Sequence, residues 1–484
     1  MEQEKKSSPA IYRVGTLTYT RLQLIAVCAW MLYGVFCFSL MESLVPSLLP
    51  LSLKRFDASN TMIGILAGSI PGILNFIVNP IVSTRSDRTR TRIGRRMPYL
   101  LFATPFVTLF LLLIGWAPDL GHQLVALLPG DLQVATVVLI LLGLFTVCFQ
   151  FFNMFVASIF YYVAPDVIPE KVLGRFMSLW TVTGAATSFC FSRYLFPLAK
   201  DHMPWVYTGV AIVYFLSFMV LCLKVHEGKY PPPEPEKKVS LAGKVEMFLR
   251  ECYSIGFYRL FFIVAAMNAV SVCCRNLFQV FFAEQDLGLE LGIYGKILSY
   301  GSIVTLVLAF PVGLLVDKIH PIRVYLGGMV LVIFVNLFGF FGVQGETSFL
   351  IFALLLATMY TFQNTSTLPL YAALYPKSRY GQFSSAMALL TSVALITFNF
   401  LAGVFIDWIG DYRYIYLWDF VFTGIAFVLM LFVYRDWKKR GGTTGFRPPD
   451  EKEIISSSVP AITSGKLISE LSDTPTQNSS GNKK

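Results

Sequence analysis

The stretch Ser83-Thr84-Arg85-Ser86-Asp87-Arg88-Thr89-Arg90-Thr91-Arg92-Ile93-Gly94-Arg95-Arg96 follows a long apolar run that contains Pro80. Its outline returns 230 residues later as Gly313-Leu314-Leu315-Val316-Asp317-Lys318-Ile319-His320-Pro321-Ile322-Arg323, again after a proline, Pro311. Each copy has a small residue, three more, then an acid followed by a base. A second matched pair, Gly174-Arg175-Phe176 and Gly381-Gln382-Phe383, lies further along. Such internal matching points to a duplicated architecture.

Working outward, both motifs sit between apolar runs of spanning length. The chain is 55% apolar and only 14% charged, against about 25% charged in soluble domains. A membrane-spanning helix needs about 20 apolar residues. Twelve stretches qualify: 22–47, 61–83, 98–117, 134–162, 176–197, 205–223, 260–283, 294–315, 324–343, 349–373, 383–406 and 414–434. The expected fold is an all-α polytopic membrane protein of two pseudo-symmetric six-helix bundles. The bundles occupy 22–223 and 260–434. They are joined by a Pro-rich, charged linker over 224–259, preceded by a polar N-terminus (1–21) and followed by a largely disordered tail (435–484).

The net charge of +10 has two readings, nucleic-acid binding or membrane topology, and the placement of the charges decides. Of 39 Lys and Arg, 32 fall in the N-terminus, the even-numbered loops and the tail, and five in the odd-numbered loops. This is the asymmetry that holds loops on the cytoplasmic side. The expectation is a multi-pass protein of the cytoplasmic membrane with both termini cytoplasmic, embedded in the lipid bilayer, monomeric and without a nucleic-acid partner. Eight cysteines carry no disulfide framework, and the N-terminus shows no cleaved signal.

The motif has a physical reading. A small residue admits a neighbouring helix closely, and the acid can meet a helix N-terminus or a nearby arginine. Asp87, Arg88, Arg92, Gly94, Arg95, Arg96, Asp166, Arg175, Asp317, Lys318 and Arg323 are therefore candidates for a cytoplasmic gate. The plainer reading is that the bases only anchor topology.

At this point the chain resembles the major facilitator superfamily, whose loop between helices 2 and 3 carries such a signature. The longer string from Asn79-Pro80 through Asp87-Arg88 and Gly94-Arg95-Arg96 to Pro98-Tyr99-Leu100 is similar to the glycoside–pentoside–hexuronide:cation symporters and sucrose carriers. So are Ala164-Pro165-Asp166-Val167-Ile168-Pro169-Glu170 and Tyr380-Gly381-Gln382-Phe383. The resemblance implies a central cavity, alternating access, and proton- or sodium-coupled symport of a sugar or glycoside. Acids that cation symporters of this group carry on helix 2 read here as Asn75 and Asn79, which favours H+ over Na+ as the coupling ion.

Ionisable groups inside spans are functional candidates. Glu42 and Arg275 stand 233 residues apart, near the motif offset, and are expected to pair as a coupling site or outer gate, with Arg193 on helix 5 as a further member. Asp419, after Trp418, reads as interfacial. Midplane amides match sugar hydroxyls: Asn75, Gln150, Asn153, Asn268, Gln363 and Asn364. Tyr33, Phe38 and Trp180 offer faces for a sugar ring. Each of these also serves as ordinary helix-packing material.

The chain contains no phosphate-binding Gly-x-x-x-x-Gly-Lys-Ser/Thr, no His-Glu-x-x-His and no nucleophile elbow. A pump or enzyme is not expected, nor a cofactor or metal. Besides sugar symport, two readings stay open: a facilitator of another small organic solute, and a non-transporting solute sensor.

Overall fold

The computed structural model describes residues 12–128, 132–228, 248–376 and 379–449. Most of the expected linker and the tail beyond 449 lie outside these.

Eleven continuous helices among the described residues are long and apolar enough to cross a bilayer. One of them, Glu170–Lys224, has 55 residues, about twice the length of one crossing. It breaks at His202, whose φ/ψ of −128/36 is non-helical, just before Pro204. That break makes twelve spans. In order they are α1 Arg21–Lys54, α2 Asn60–Arg88, α3 Met97–Leu127, α4 Val134–Val167, α5 (170–201), α6 (203–224), α7 Gly256–Asp286, α8 Leu291–Ile319, α9 Pro321–Gly342, α10 Glu346–Leu374, α11 Tyr380–Ile409 and α12 Tyr414–Lys439. The end of the molecule that carries the motif loops is called the basic end below; the opposite end is the far end.

Several boundaries differ from the hydropathy reading, because helices continue past the apolar core. Thr20 and Gln23 form a reciprocal capping box that starts α1. Before it, Tyr12–Val14 (β1) and Leu17–Tyr19 (β2) make an antiparallel hairpin around Gly15, a segment read only as a polar terminus. The tail expected from 435 is ordered at its start. α12 runs to Lys439, Trp437 is fully buried, and Phe446 packs on Phe257 at 5.9 Å.

Two cores result. One runs through α1–α6 and continues across the far end into α7, α8, α10, α11 and α12. The second lies only at the basic end of α7–α12 and includes Tyr258, Phe262, Tyr375, Phe383 and Trp437. The first six helices and the last six thus share packing at the far end and keep separate cores at the basic end.

The far-end seam is made by glycines, not by Ser83 or Gly313. A Cβ on Gly64 would collide with the carbonyl oxygen of Asn399, and one on Gly403 with that of Asn60. Gly68 and Gly72 extend the same face toward Asn399 and Ile396. On the other side of the seam, a Cβ on Gly295 of α8 would collide with the carbonyl oxygen of Ser192. Both seams contain a π-helical turn, Gly64–Ser69 in α2 and Phe191–Leu195 in α5. Such turns shift backbone groups out of α-register.

Candidate functional site

Between the seams and the basic end, the two halves face each other across a cleft. Its first compartment, about 490 Å³, is lined by Gly68, Asn75 and Asn79 of α2, Ser158, Tyr161 and Tyr162 of α4, and Ser392 and Asn399 of α11. The second, about 660 Å³, is lined by Asn268, Arg275 and Asn276 of α7, Tyr360 and Asn364 of α10, and Thr391 and Ser392 of α11. Ser392 belongs to both, so the compartments adjoin. Each lies in the range of about 300–1,000 Å³ typical of small-molecule sites. Amide, hydroxyl and tyrosine groups share the walls with apolar side chains such as Met154, Leu395, Val272 and Met387.

Of the amides singled out in the sequence, Asn75, Asn79, Asn268 and Asn364 reach the cavity wall. Gln363 is 2% exposed and stands behind it, its Nε2 donating to Asn268 Oδ1 at 2.7 Å. Gln150 is buried and does not line either compartment. The aromatic expectation needs correction. Phe38 and Trp180 are buried in an aromatic stack with Phe160, at 5.5 and 5.0 Å, and so are used in packing α1, α4 and α5. Tyr33 lies edge-on to Trp30 and lines neither compartment. The rings that do line the cavity are Tyr161, Tyr162, Tyr360 and Tyr371, of which Tyr161 stacks on Trp180 at 5.2 Å.

The expected pair of Glu42 with Arg275 does not form, because each charge finds its partner within its own half. Asn153 Nδ2 donates to Glu42 Oε1 at 3.3 Å. Asn153, Ala157 and Tyr161 follow at four-residue spacing along one face of α4, and the last two line the first compartment. Glu42, midway along a spanning helix, lies beside that face and lines neither compartment.

Arg275 is bound instead by Asp419, which is wholly buried and not interfacial. Arg275 Nε donates to Asp419 Oδ2 at 3.1 Å. The Tyr360 hydroxyl donates to the same oxygen at 3.1 Å, and Thr423 Oγ1 donates to Oδ1 at 3.0 Å. The guanidinium lies over the Tyr360 ring at 5.0 Å. Arg193 is exposed over Tyr194 at 5.8 Å and joins neither group.

At the basic end the N-terminal half is clamped. Asp166 receives Arg95 Nη2 at 2.8 Å and Arg96 Nε at 2.5 Å, and Asp87 lies 3.5 and 3.4 Å from the same two arginines. Glu227, unmarked in the sequence, caps α3 by accepting from the backbone N–H groups of Arg95, Arg96 and Met97 at 2.8–3.0 Å. Gly94, at φ +122, lets the loop turn against Glu227. These bonds stay within one half and do not bridge the two. Arg92, Arg175, Asp317, Lys318 and Arg323 are exposed and join no described salt bridge.

Closure between the halves falls at the far end. Asp407 of α11 accepts from the backbone N–H of Asn60 at 2.9 Å, and from the N–H and hydroxyl of Thr61 at 2.7 and 2.6 Å. Tyr412 donates to Asn60 Oδ1 at 2.9 Å, and Ser69 donates to the Ile396 carbonyl at 2.6 Å. The cavity therefore has its floor at Gly68 and Asn399, and runs past Asn79, Tyr162 and Tyr371 toward the basic end.

Residues 54–378 match the family model described as MFS/sugar transport protein. A general alpha-glucoside permease of Schizosaccharomyces pombe is 28% identical over 194 residues, covering 38% of this chain. The match spans 33% of that permease's own length. Among solved structures, a bacterial homologue of the human lysosomal transporter Spinster, inward-facing and unoccupied, superposes with a TM-score of 0.65 at 14% identity. It covers 87% of this chain and 99% of its own. A peptide transporter in complex with sulfate gives 0.62 at 12% identity, over 86% of this chain and 95% of its own. These two likenesses concern the fold alone.

Proposed function

The chain belongs to the MFS/sugar transport protein family, and from that premise we propose that it is a proton-coupled symporter of a sugar or glycoside, working by alternating access. It is a multi-pass membrane transporter of a small solute; the sugar, the proton and the direction are the proposal. The observation that carries it is the composition of the two adjoining compartments. Asn75, Asn79, Asn268, Asn276 and Asn364, with Ser158, Thr391 and Ser392, supply donors and acceptors in the mixture that hydroxyl groups require. Tyrosine rings beside them suit the apolar face of a pyranose. The family description and the partial match to an alpha-glucoside permease favour the same substrate class.

In this reading the basic end is cytoplasmic, the two six-helix bundles rock about the cavity, and the conformation in hand is inward-facing. Glu42 is the coupling acid. Its described hydrogen-bond partner is the neutral Asn153, one turn from the Ala157 that lines the first compartment, and no described cation pairs with it, so taking up a proton leaves no buried cation behind. Uptake of a labelled alpha-glucoside into vesicles, at two pH values, tests both parts. Uptake should be driven by an inward proton gradient. Glu42→Gln should retain exchange of sugar between the two sides but lose the gradient dependence. No sugar-dependent uptake or competition from a sugar panel removes the substrate class; an unchanged pH dependence in Glu42→Gln removes Glu42 as the acid.

A further inference from the structure

Arg275 carries a charge into a cavity assigned above to a neutral solute. A guanidinium partly desolvated in a cavity wall is ordinarily an anchor for carboxylate or phosphate, which its planar donors fit. Its side chain is 12% exposed, and the exposed part belongs to the wall of the second compartment. Behind it, with no exposure at all, Asp419 binds Nε. That carboxylate is itself saturated, by Arg275, Tyr360 and Thr423. At 3.1 Å from Nε the carboxylate offsets the charge of its partner as seen from the cavity.

We infer that Asp419 sets the charge selectivity of the site: it holds Arg275 as a neutral ion pair, so that the cavity takes uncharged glycosides and refuses their uronic-acid and phosphorylated counterparts. This rests on the proposal that the substrate is a sugar. Asp419 does not line the cavity and acts through Arg275, as a positioning residue. Arg275 then offers donors to hydroxyl oxygens, with its plane fixed by the Nε bond and by Tyr360 beneath. An anionic sugar gains nothing from a guanidinium whose charge is already met.

The test is competition between two probes that differ only in charge, an alpha-glucoside and the corresponding alpha-glucuronide. Binding to purified protein is read by ligand-induced thermal stabilisation, so that no flux is needed. Wild type should respond to the glucoside and not to the glucuronide. Asp419→Asn leaves Arg275 uncompensated and should move the ratio of the two affinities toward the glucuronide by roughly tenfold or more, the effect of one unscreened charge across a cavity. Tyr360→Phe, which keeps both charges, should leave that ratio unchanged while weakening glucoside binding. Should Asp419→Asn, which leaves a largely buried arginine unpaired, fail to fold, Arg275→Gln/Asp419→Asn, which removes both charges, serves in its place. The double variant should keep the preference for the neutral sugar at lower affinity. A wild-type response to the glucoside together with a ratio unmoved by Asp419→Asn overturns the inference alone. A double variant that prefers the glucuronide does so too. Absence of a wild-type response to either sugar overturns the sugar reading and this inference with it.

Discussion

The two halves carry the same architecture and handle charge in opposite ways. In the N-terminal half the charges are tied together at the basic end. Asp87, Arg95, Arg96 and Asp166 form one cluster, with Glu227 capping the helix beside it. Its interior holds a single acid, Glu42, with a neutral partner. In the C-terminal half the matching motif acid, Asp317, is exposed and joins no described salt bridge. There one ion pair, Arg379 with Glu251 at 3.5 Å, lies at the basic end, and another lies inside, between Arg275 and Asp419. Duplication has preserved the helix plan and the motif spacing without preserving the bonds. The wall of the second compartment thus carries a paired arginine, while the acid of the N-terminal half stands one turn from the cavity-lining Ala157 with a neutral partner.

The largest expected effect comes from setting the two motif regions against each other. Asp166 is 11% exposed and holds Arg95 and the 8%-exposed Arg96. Asp166→Ala leaves the Arg96 guanidinium in a largely buried place without its main partner, and should cost about 3 kcal/mol of stability. Asp317→Ala, at the matched position of the other half, should stay within about 0.5 kcal/mol, as exposed substitutions do. Thermal unfolding of both variants in detergent measures the contrast. Equal losses would mean that Asp317 has a partner in the folded protein and that the asymmetry is not real.

This contrast also separates what is legible in the sequence from what is not. Twelve spans, the basic end and the repeated motif can be read directly, because hydropathy and loop charge are local properties. The bonds cannot. Repeat arithmetic places Glu42 opposite Arg275, yet Asn153 and Asp419, 111 and 144 residues away, satisfy them first. Glu227 lies in a segment read as linker, with no motif to mark it. Phe38 and Trp180 are of the right type for a sugar ring, and tertiary packing takes them for the core. One missed feature does have a signal: Gly64, Gly68 and Gly72 at four-residue spacing spell a close helix contact, and they mark the far-end seam better than the small residues of the motifs.

The seam is where the two unlike halves meet, and Asp407 is its polar fastening. It is a C-half acid receiving two N-half backbone donors and a hydroxyl. If the halves move as units, weakening this contact should loosen the seam without disturbing either bundle. Hydrogen bonds to a charged acceptor contribute about 1.5–3 kcal/mol in net terms, so Asp407→Asn should speed amide exchange in residues 60–69 by roughly tenfold or more. Exchange inside α4 and α12 should not change. Acceleration spread through all twelve helices would show that the halves are not separate units.

The smallest effect concerns the basic end of the C-terminal half, where the described ion pair is Arg379 with Glu251 and the four-residue cluster of the other half is not repeated. At the position matching Arg90 stands His320, between α8 and α9 at φ +81. Its Nδ1 accepts the Ile322 N–H at 3.3 Å, and its ring lies 4.7 Å from the buried Trp437. Burial, and then the charge of Arg323, hold its imidazole below the ordinary value. The folded protein thus favours the neutral ring, which alone can accept that N–H through Nδ1. As pH falls the unfolded chain takes up the proton first. The stabilisation is complete above about pH 6.5 and is lost as pH drops from there through the lowered value. Between pH 7.5 and 5.5 the thermal midpoint of the wild type should fall more than that of His320→Gln, by a difference worth less than about 1 kcal/mol. Parallel pH dependences in the two proteins would mean that this end, like the clamped end of the other half, is held by contacts that no proton in that range disturbs.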